Sequence, residues 1–141
     1  MLFRSRIGVT TKVDVMPWNI YFPRTTKRDF SVWMMASGSM SEMATALNSV
    51  AVTYDIANNR GVNNRGRYSN SQVDELVNAA FLTLDNTRRK ELLARASEIA
   101  MDDVAVMPLY FYSFSIASPK TISYTPRLDQ FTLAYNARKA K

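Results

Sequence analysis

The sequence contains no cysteine and no histidine. Disulfides, thiol catalysis and Cys/His metal sites are therefore excluded from this chain, together with any triad or proton shuttle built on histidine. The missing thiols carry no information about compartment, because a chain without them is compatible with either redox state. Long apolar runs are also lacking. Nothing approaches the roughly 18 residues that a membrane span requires, and the opening MLFRSRIGVTTKVDV has too short an apolar region for a secretory signal. The expectation is that the chain as written neither spans a membrane nor directs its own export. Nor is charge gathered in one place. Arg4, Arg6, Lys27, Arg28, Arg65, Arg67, Arg88, Arg89, Lys90, Arg138, Lys139 and Lys141 are scattered along the chain, as a solvated surface has them and a groove for a phosphate backbone does not. The net charge of +6, from 18 Lys and Arg against 12 Asp and Glu, favours anionic partners without choosing among them.

What is present is enough for a packed domain: 141 residues, 47% of them hydrophobic. Over residues 9–16, Val9, Thr11, Val13 and Val15 alternate with Lys12 and Asp14, the period of a half-buried strand, which Pro17 stops. WNIYFPRTTKRDF reads as a short helix or irregular turn carrying Trp18, Tyr21 and Phe22, with Pro23 arguing against a long one. FSVWMMAS has the β-branched and aromatic content of a second, more central strand, ended by SGS. Behind Ser41, the spacing of Met43, Leu47 and Val50 predicts a helix. DIANNRGVNNRGRYSN has no periodicity and is expected to be a long loop; no internal repeat stands out along the chain.

The cleanest helical signal follows. Val73, Leu76, Val77, Ala80 and Leu84 mark one face of a helix entered at Ser69 or Asn70, where Ser69 and Gln72 have the spacing of a capping box. Asp85 caps the next helix, whose predicted buried face is Leu92, Leu93, Ala96, Ile99, Ala100 and Val104. The two form an antiparallel hairpin with Arg88, Arg89, Lys90, Glu91, Arg95 and Glu98 on its wet side. In VMPLYFYSFSIAS, Tyr110, Tyr112, Phe114 and Ile116 alternate with Leu109, Phe111, Ser113 and Ser115, predicting a long aromatic strand that begins near Pro108. The expected class is α/β. Its two or three strands make too narrow a sheet by themselves, and such apolar strands belong in a larger one.

The stretch GVNNRGRYSNSQVDEL poses the main chemical question. A helix start with Arg65 and Arg67 beside it is a potential anion grip. Against that, glycines form turns, asparagines bond locally and Tyr68 anchors by packing, and no phosphate-loop or dinucleotide glycine spacing is present. Scaffold is the favoured reading. Asp102 and Asp103 are adjacent, so their side chains diverge, and Asp74 and Glu75 suit a helix N-terminus. Neither pair points to acid/base catalysis, so no enzyme, cofactor or metal is expected.

In order, VDVMPWNIYF, RDFSVWMM, YSNSQVD, the helix pair and MPLYFY resemble the C-terminal part of extracytoplasmic solute-binding proteins of family 5, the dipeptide and oligopeptide receptors of ABC importers. The resemblance implies part of the second lobe of a two-lobed periplasmic binding protein of type II over residues 1–118. It assigns residues 119–141 to a tail returning to the first lobe. It implies capture of a peptide or similar small solute, delivery to permease subunits at the membrane, and a periplasmic or other extracytoplasmic location for the parent. It also places ligand contacts at Ser37, Gly38, Ser39 and Met40. Ser37 stands where peptide-binding members tend to have tryptophan, and Met40 where they have an acid for the peptide's α-ammonium. A charge-assisted contact of that kind is worth roughly 1.5 to 3 kcal/mol, which methionine does not replace. The aromatic segment 110–114 is a second candidate wall, with interlobe packing the favoured role. The alternative function is a basic anion- or nucleic-acid-binding module using the loop from Asn63 to Asn70. On its own the chain is expected to associate with itself, because its apolar strands lack covering neighbours.

Overall fold

The computed structural model describes residues 8, 10–36, 42–111, 113, 115–127, 129 and 131–140. The chain divides into two units, Met1–Trp33 and Met34–Lys141.

The first unit contains helix α1, Trp18–Lys27. Pro17 precedes it in an extended conformation, and its carbonyl accepts from the amides of Ile20 (3.0 Å) and Tyr21 (2.9 Å). Pro23 lies inside the helix, which tolerates the loss of one amide donor and stays short at ten residues. Arg28 closes it in the left-handed conformation at φ 61°. The Arg28 amide donates to Thr25 (3.1 Å) and the Asp29 amide to Arg24 (3.1 Å), so two of the last carbonyls are satisfied. Trp18 meets Tyr21 and Phe22 with ring centroids 5.9 and 5.2 Å apart.

The strand expected over residues 9–16 does not form among the described residues, and neither does the one expected in FSVWMMAS. Val13, Val15, Val32 and Met34 are exposed. Alternation of valines describes a surface suited to one buried face, but a strand also requires a ladder of bonds to a neighbouring segment, and no strand pairing forms there among the described residues.

The second unit is built on three helices: α2 (Met43–Val50), α3 (Ser71–Leu82) and α4 (Asn86–Asp102). Asn70 caps α3, its side-chain oxygen accepting from the amides of Gln72 (2.9 Å) and Val73 (3.5 Å). The Ser69–Gln72 capping box is not used; the Ser69 hydroxyl instead lies 2.9 Å from that of Thr53. Asp85 caps α4 as the sequence predicts, accepting from the Arg88 amide at 2.6 Å. The short link between α3 and α4 makes them antiparallel neighbours.

Their seam is the core. Val73, Val77 and Ala80 of α3 face Leu92, Leu93, Ala96 and Ala100 of α4, with Ala44 and Leu47 of α2 and Ala51 and Val52 just after it. Ala44, Ala80, Ala96 and Ala100 are fully buried, small side chains that let helices approach closely. Leu76 and Ile99 lie at the margin, partly buried. Two expected core residues are outside it. Leu84 is 97% exposed because α3 ends at Leu82 and leaves it in the link. Val104 lies beyond α4 at φ 55°, turned off the helical stripe and exposed.

The only strands among the described residues are β1 (Ile122–Tyr124) and β2 (Ala137–Lys139), paired antiparallel with Ser123 opposite Arg138 and preceded at β2 by a 3₁₀ turn, Ala134–Asn136. Helices with a small sheet are consistent with the α/β class, but the sheet lies in the tail and not where the strongest β patterns are. The long aromatic strand is a correction: residues 107–111 take no strand conformation, and Leu109, Tyr110 and Phe111 are exposed. Tyr112 and Phe114 lie outside the described residues. No helix among the described residues is long and apolar enough to cross a membrane.

Truncating the seam tests this packing. Leu93→Ala removes a side chain that is 5% exposed and should cost roughly 2 to 5 kcal/mol in chemical denaturation. Leu84→Ala should stay within about 0.5 kcal/mol of the parent. Equal effects at the two positions would contradict the seam.

Candidate functional site

Ser37, Gly38, Ser39 and Met40, the expected ligand contacts, lie outside the described residues, in the stretch just before α2. Of the second candidate wall, Tyr110 is described and 72% exposed, and Tyr112 and Phe114 are not described. The loop from Asn63 to Asn70, the alternative anion site, is described throughout.

That loop is anchored to the end of α2. A helix leaves its last carbonyls without intrahelical partners. Here the Gly61 amide donates to the Asn48 carbonyl (2.8 Å) and the Asn63 amide to the Ser49 carbonyl (2.9 Å), while the Asn63 side chain donates to the Ser49 hydroxyl (2.8 Å). Asn64 is 4% exposed. Its side-chain amide donates to the carbonyls of Val52 (3.0 Å) and Tyr68 (2.7 Å), and its side-chain oxygen accepts from the Tyr68 amide (3.0 Å). One side chain thus satisfies three backbone groups.

Gly61 is required by geometry. It is buried at φ 58°, and a Cβ there would stand 2.4 Å from the Val52 carbonyl oxygen. Gly66 has open space instead. The two glycines end a doubled Asn-Asn-Arg-Gly, residues 58–61 and 63–66, a signal that the periodicity reading missed. The copies do different work. In the first, Asn58 bonds Asp55 at 2.6 Å and Arg60 closes a two-residue bridge with Asp55; in the second, Asn63 and Asn64 tie the loop to the helix.

The charged groups are largely engaged within the fold. Arg67, in the left-handed region at φ 60°, lies over the Tyr54 ring at 3.4 Å from its centre. Asp74 in the first turn of α3 accepts from the Thr53 amide (2.9 Å) and pairs with Arg60 at 3.7 Å. Asp103, which follows α4, accepts from the Tyr68 hydroxyl (2.6 Å) and the Asn70 side chain (2.8 Å), joining the far end of α4 to the entry of α3. Burial, and then the bond to Asp103, push the Tyr68 hydroxyl up to about 12. The same bond, with the one from Asn70, holds the Asp103 carboxyl below its ordinary value. This is a structural clamp and not an acid/base pair facing a cleft. Asp55 is likewise held low, first by Asn58.

A shallow groove of about 340 Å³ runs along the hairpin, lined by Gln72, Glu75, Leu76, Ala79, Arg95 and Ile99. Arg95 is paired with Glu98 at 3.1 Å. Among the described residues there is no group of three or more acidic, His or Cys side chains able to hold a metal.

The described site is thus a capped helix hairpin and a loop tied to it by Asn63, Asn64, Tyr68 and Asn70. The chain is homologous to a portion of the family 5 solute-binding proteins. The oligopeptide-binding protein OppA of Bacillus subtilis is 28% identical over 112 residues, covering 79% of this chain and 20% of that protein. The probable D,D-dipeptide-binding periplasmic protein DdpA of Escherichia coli is 34% identical over 70 residues, 48% of this chain and 14% of that protein. The dipeptide-binding protein DppE of Bacillus subtilis is 25% identical over 112 residues, 78% of this chain and 19% of that protein. The chain therefore spans about a fifth or less of the length of these relatives. No family model matches the chain, and no solved structure does.

Gly61→Ala should destabilise the fold by about 2 kcal/mol or more, because it combines left-handed strain with a backbone clash. Gly66→Ala should lie within about 0.5 kcal/mol of the parent. Thermal or denaturant melts of the two variants compare them directly; similar losses would show that the loop does not close on Val52.

The clamp also sets a pH dependence. An unfolded tyrosine titrates near 10 and native Tyr68 near 12. Its contribution is therefore complete below about pH 10 and is lost as pH rises through about 12. Asp103 acts at the other end, its contribution being present above the ordinary carboxylate range and lost as pH falls through its lowered native value. The stability gap between the parent and Tyr68→Phe should shrink between about pH 10 and 12. A gap constant across that window would remove the clamp.

Proposed function

We propose that this chain is the C-terminal portion of an ABC-importer substrate-binding protein, with residues 1–118 in its second lobe and residues 119–141 returning to the first. In this reading a peptide or similar small solute is held between the lobes, outside the cytoplasm, without catalysis, and is handed to membrane permease subunits. Ser37, Gly38, Ser39 and Met40 supply ligand contacts. Since Met40 offers no charge to an α-ammonium, the solute is held by other contacts, the soft side chains of Met34, Met35 and Met40 among them.

The observation that carries this reading is the similarity to OppA over 112 residues, 79% of the chain. The names of OppA, DdpA and DppE describe binders of peptides, and that of DdpA places it in the periplasm. The partners that Asn63, Asn64, Arg67, Tyr68 and Asn70 find within the fold support scaffold there over an anion or nucleic-acid grip. The exposure of Val13, Val15, Val32, Met34, Leu109 and Phe111 supports a parent in which more chain covers them.

The test is a chimera in which this chain replaces the matching region of the Bacillus oligopeptide-binding relative. It should fold and bind a peptide or small solute in calorimetry, and Arg65→Ala with Arg67→Ala should leave that affinity largely intact. A folded chimera that binds nothing across a peptide and small-solute panel would refute the ligand role. Loss of binding on the double substitution, with folding unchanged, would overturn the scaffold reading.

By itself the chain should elute above its 16.0 kDa monomer mass in size exclusion with light scattering, and bind peptides weakly or not at all. A monodisperse monomer with tight solute binding would show a self-sufficient domain. Tight binding to duplex DNA that falls steeply between about 50 and 200 mM salt would favour the nucleic-acid alternative instead.

A further inference from the structure

We draw no further inference here: the strongest candidate, the exposed apolar surface patch at residues 107–111 following α4, belongs to the reading already given, and nothing in the structure shows what covers it.

Discussion

The side-chain amide of Asn64 is the contact on which the helical unit depends. Between α2 and α3 the chain runs through a long loop whose backbone groups include the carbonyl of Val52, a residue that is fully buried. A buried carbonyl without a partner costs on the order of 1 to 3 kcal/mol, and no helix or sheet ladder reaches this one. Asn64 bonds it together with both backbone groups of Tyr68. That fixes where Tyr68 stands, and so lets its hydroxyl reach Asp103 beyond the end of α4. Asn70 reaches the same carboxylate while capping α3. The start of one helix and the end of its neighbour are thus set by a loop that has no regular structure of its own.

Charge serves the same closure. Arg89 of α4 donates to the Ala80 carbonyl near the end of α3 and pairs with Glu42 at the entry of α2. Asp74 holds the chain leaving α2 through the Thr53 amide. Ties between sequence-distant groups are worth more here than the surface pairs Arg88–Glu91 and Arg95–Glu98, which are solvent-screened and contribute little. The excess of positive charge is therefore a poor guide to function in this chain. Several of the arginines that invite an anionic partner already face a carboxylate, a carbonyl or an aromatic ring.

The helix hairpin was legible in the sequence because helical periodicity is local: Val73, Val77 and Ala80, or Leu92, Ala96 and Ala100, share a face wherever the rest of the chain lies. Asp85 was legible for the same reason, since its acceptor role involves an amide three residues away. Asn64 was not, because its polar side chain in a loop looks like any turn former; its burial depends on the Val52 carbonyl, which is distant in sequence. The doubled Asn-Asn-Arg-Gly was a visible cue to a built loop, though not to which copy does the anchoring. Leu84 and Val104 fit the stripe by spacing, and were lost to helix ends that spacing alone does not mark. Of the candidate ligand positions, the sequence marked Ser37 to Met40 only through family resemblance, and they fall outside the described residues.

The strand expectations failed for a different physical reason. A β pattern records how a segment's side chains would divide between core and solvent, whereas the strand itself is made by hydrogen bonds to another segment. Among the described residues, 10–16 and 107–111 carry the pattern and form no strand, and the two named strands, of three residues each, pair in the tail. A two-stranded ribbon is marginal alone in water, and exposed Phe111 and Val15 gain nothing from solvent. Helices satisfy their own backbones, so α3 and α4 are complete within 141 residues; strands do not, so the β-rich segments are the ones left exposed. The chain spans about a fifth or less of the length of the relatives named above. A side-chain pattern of β type is therefore necessary for a strand but not sufficient for one.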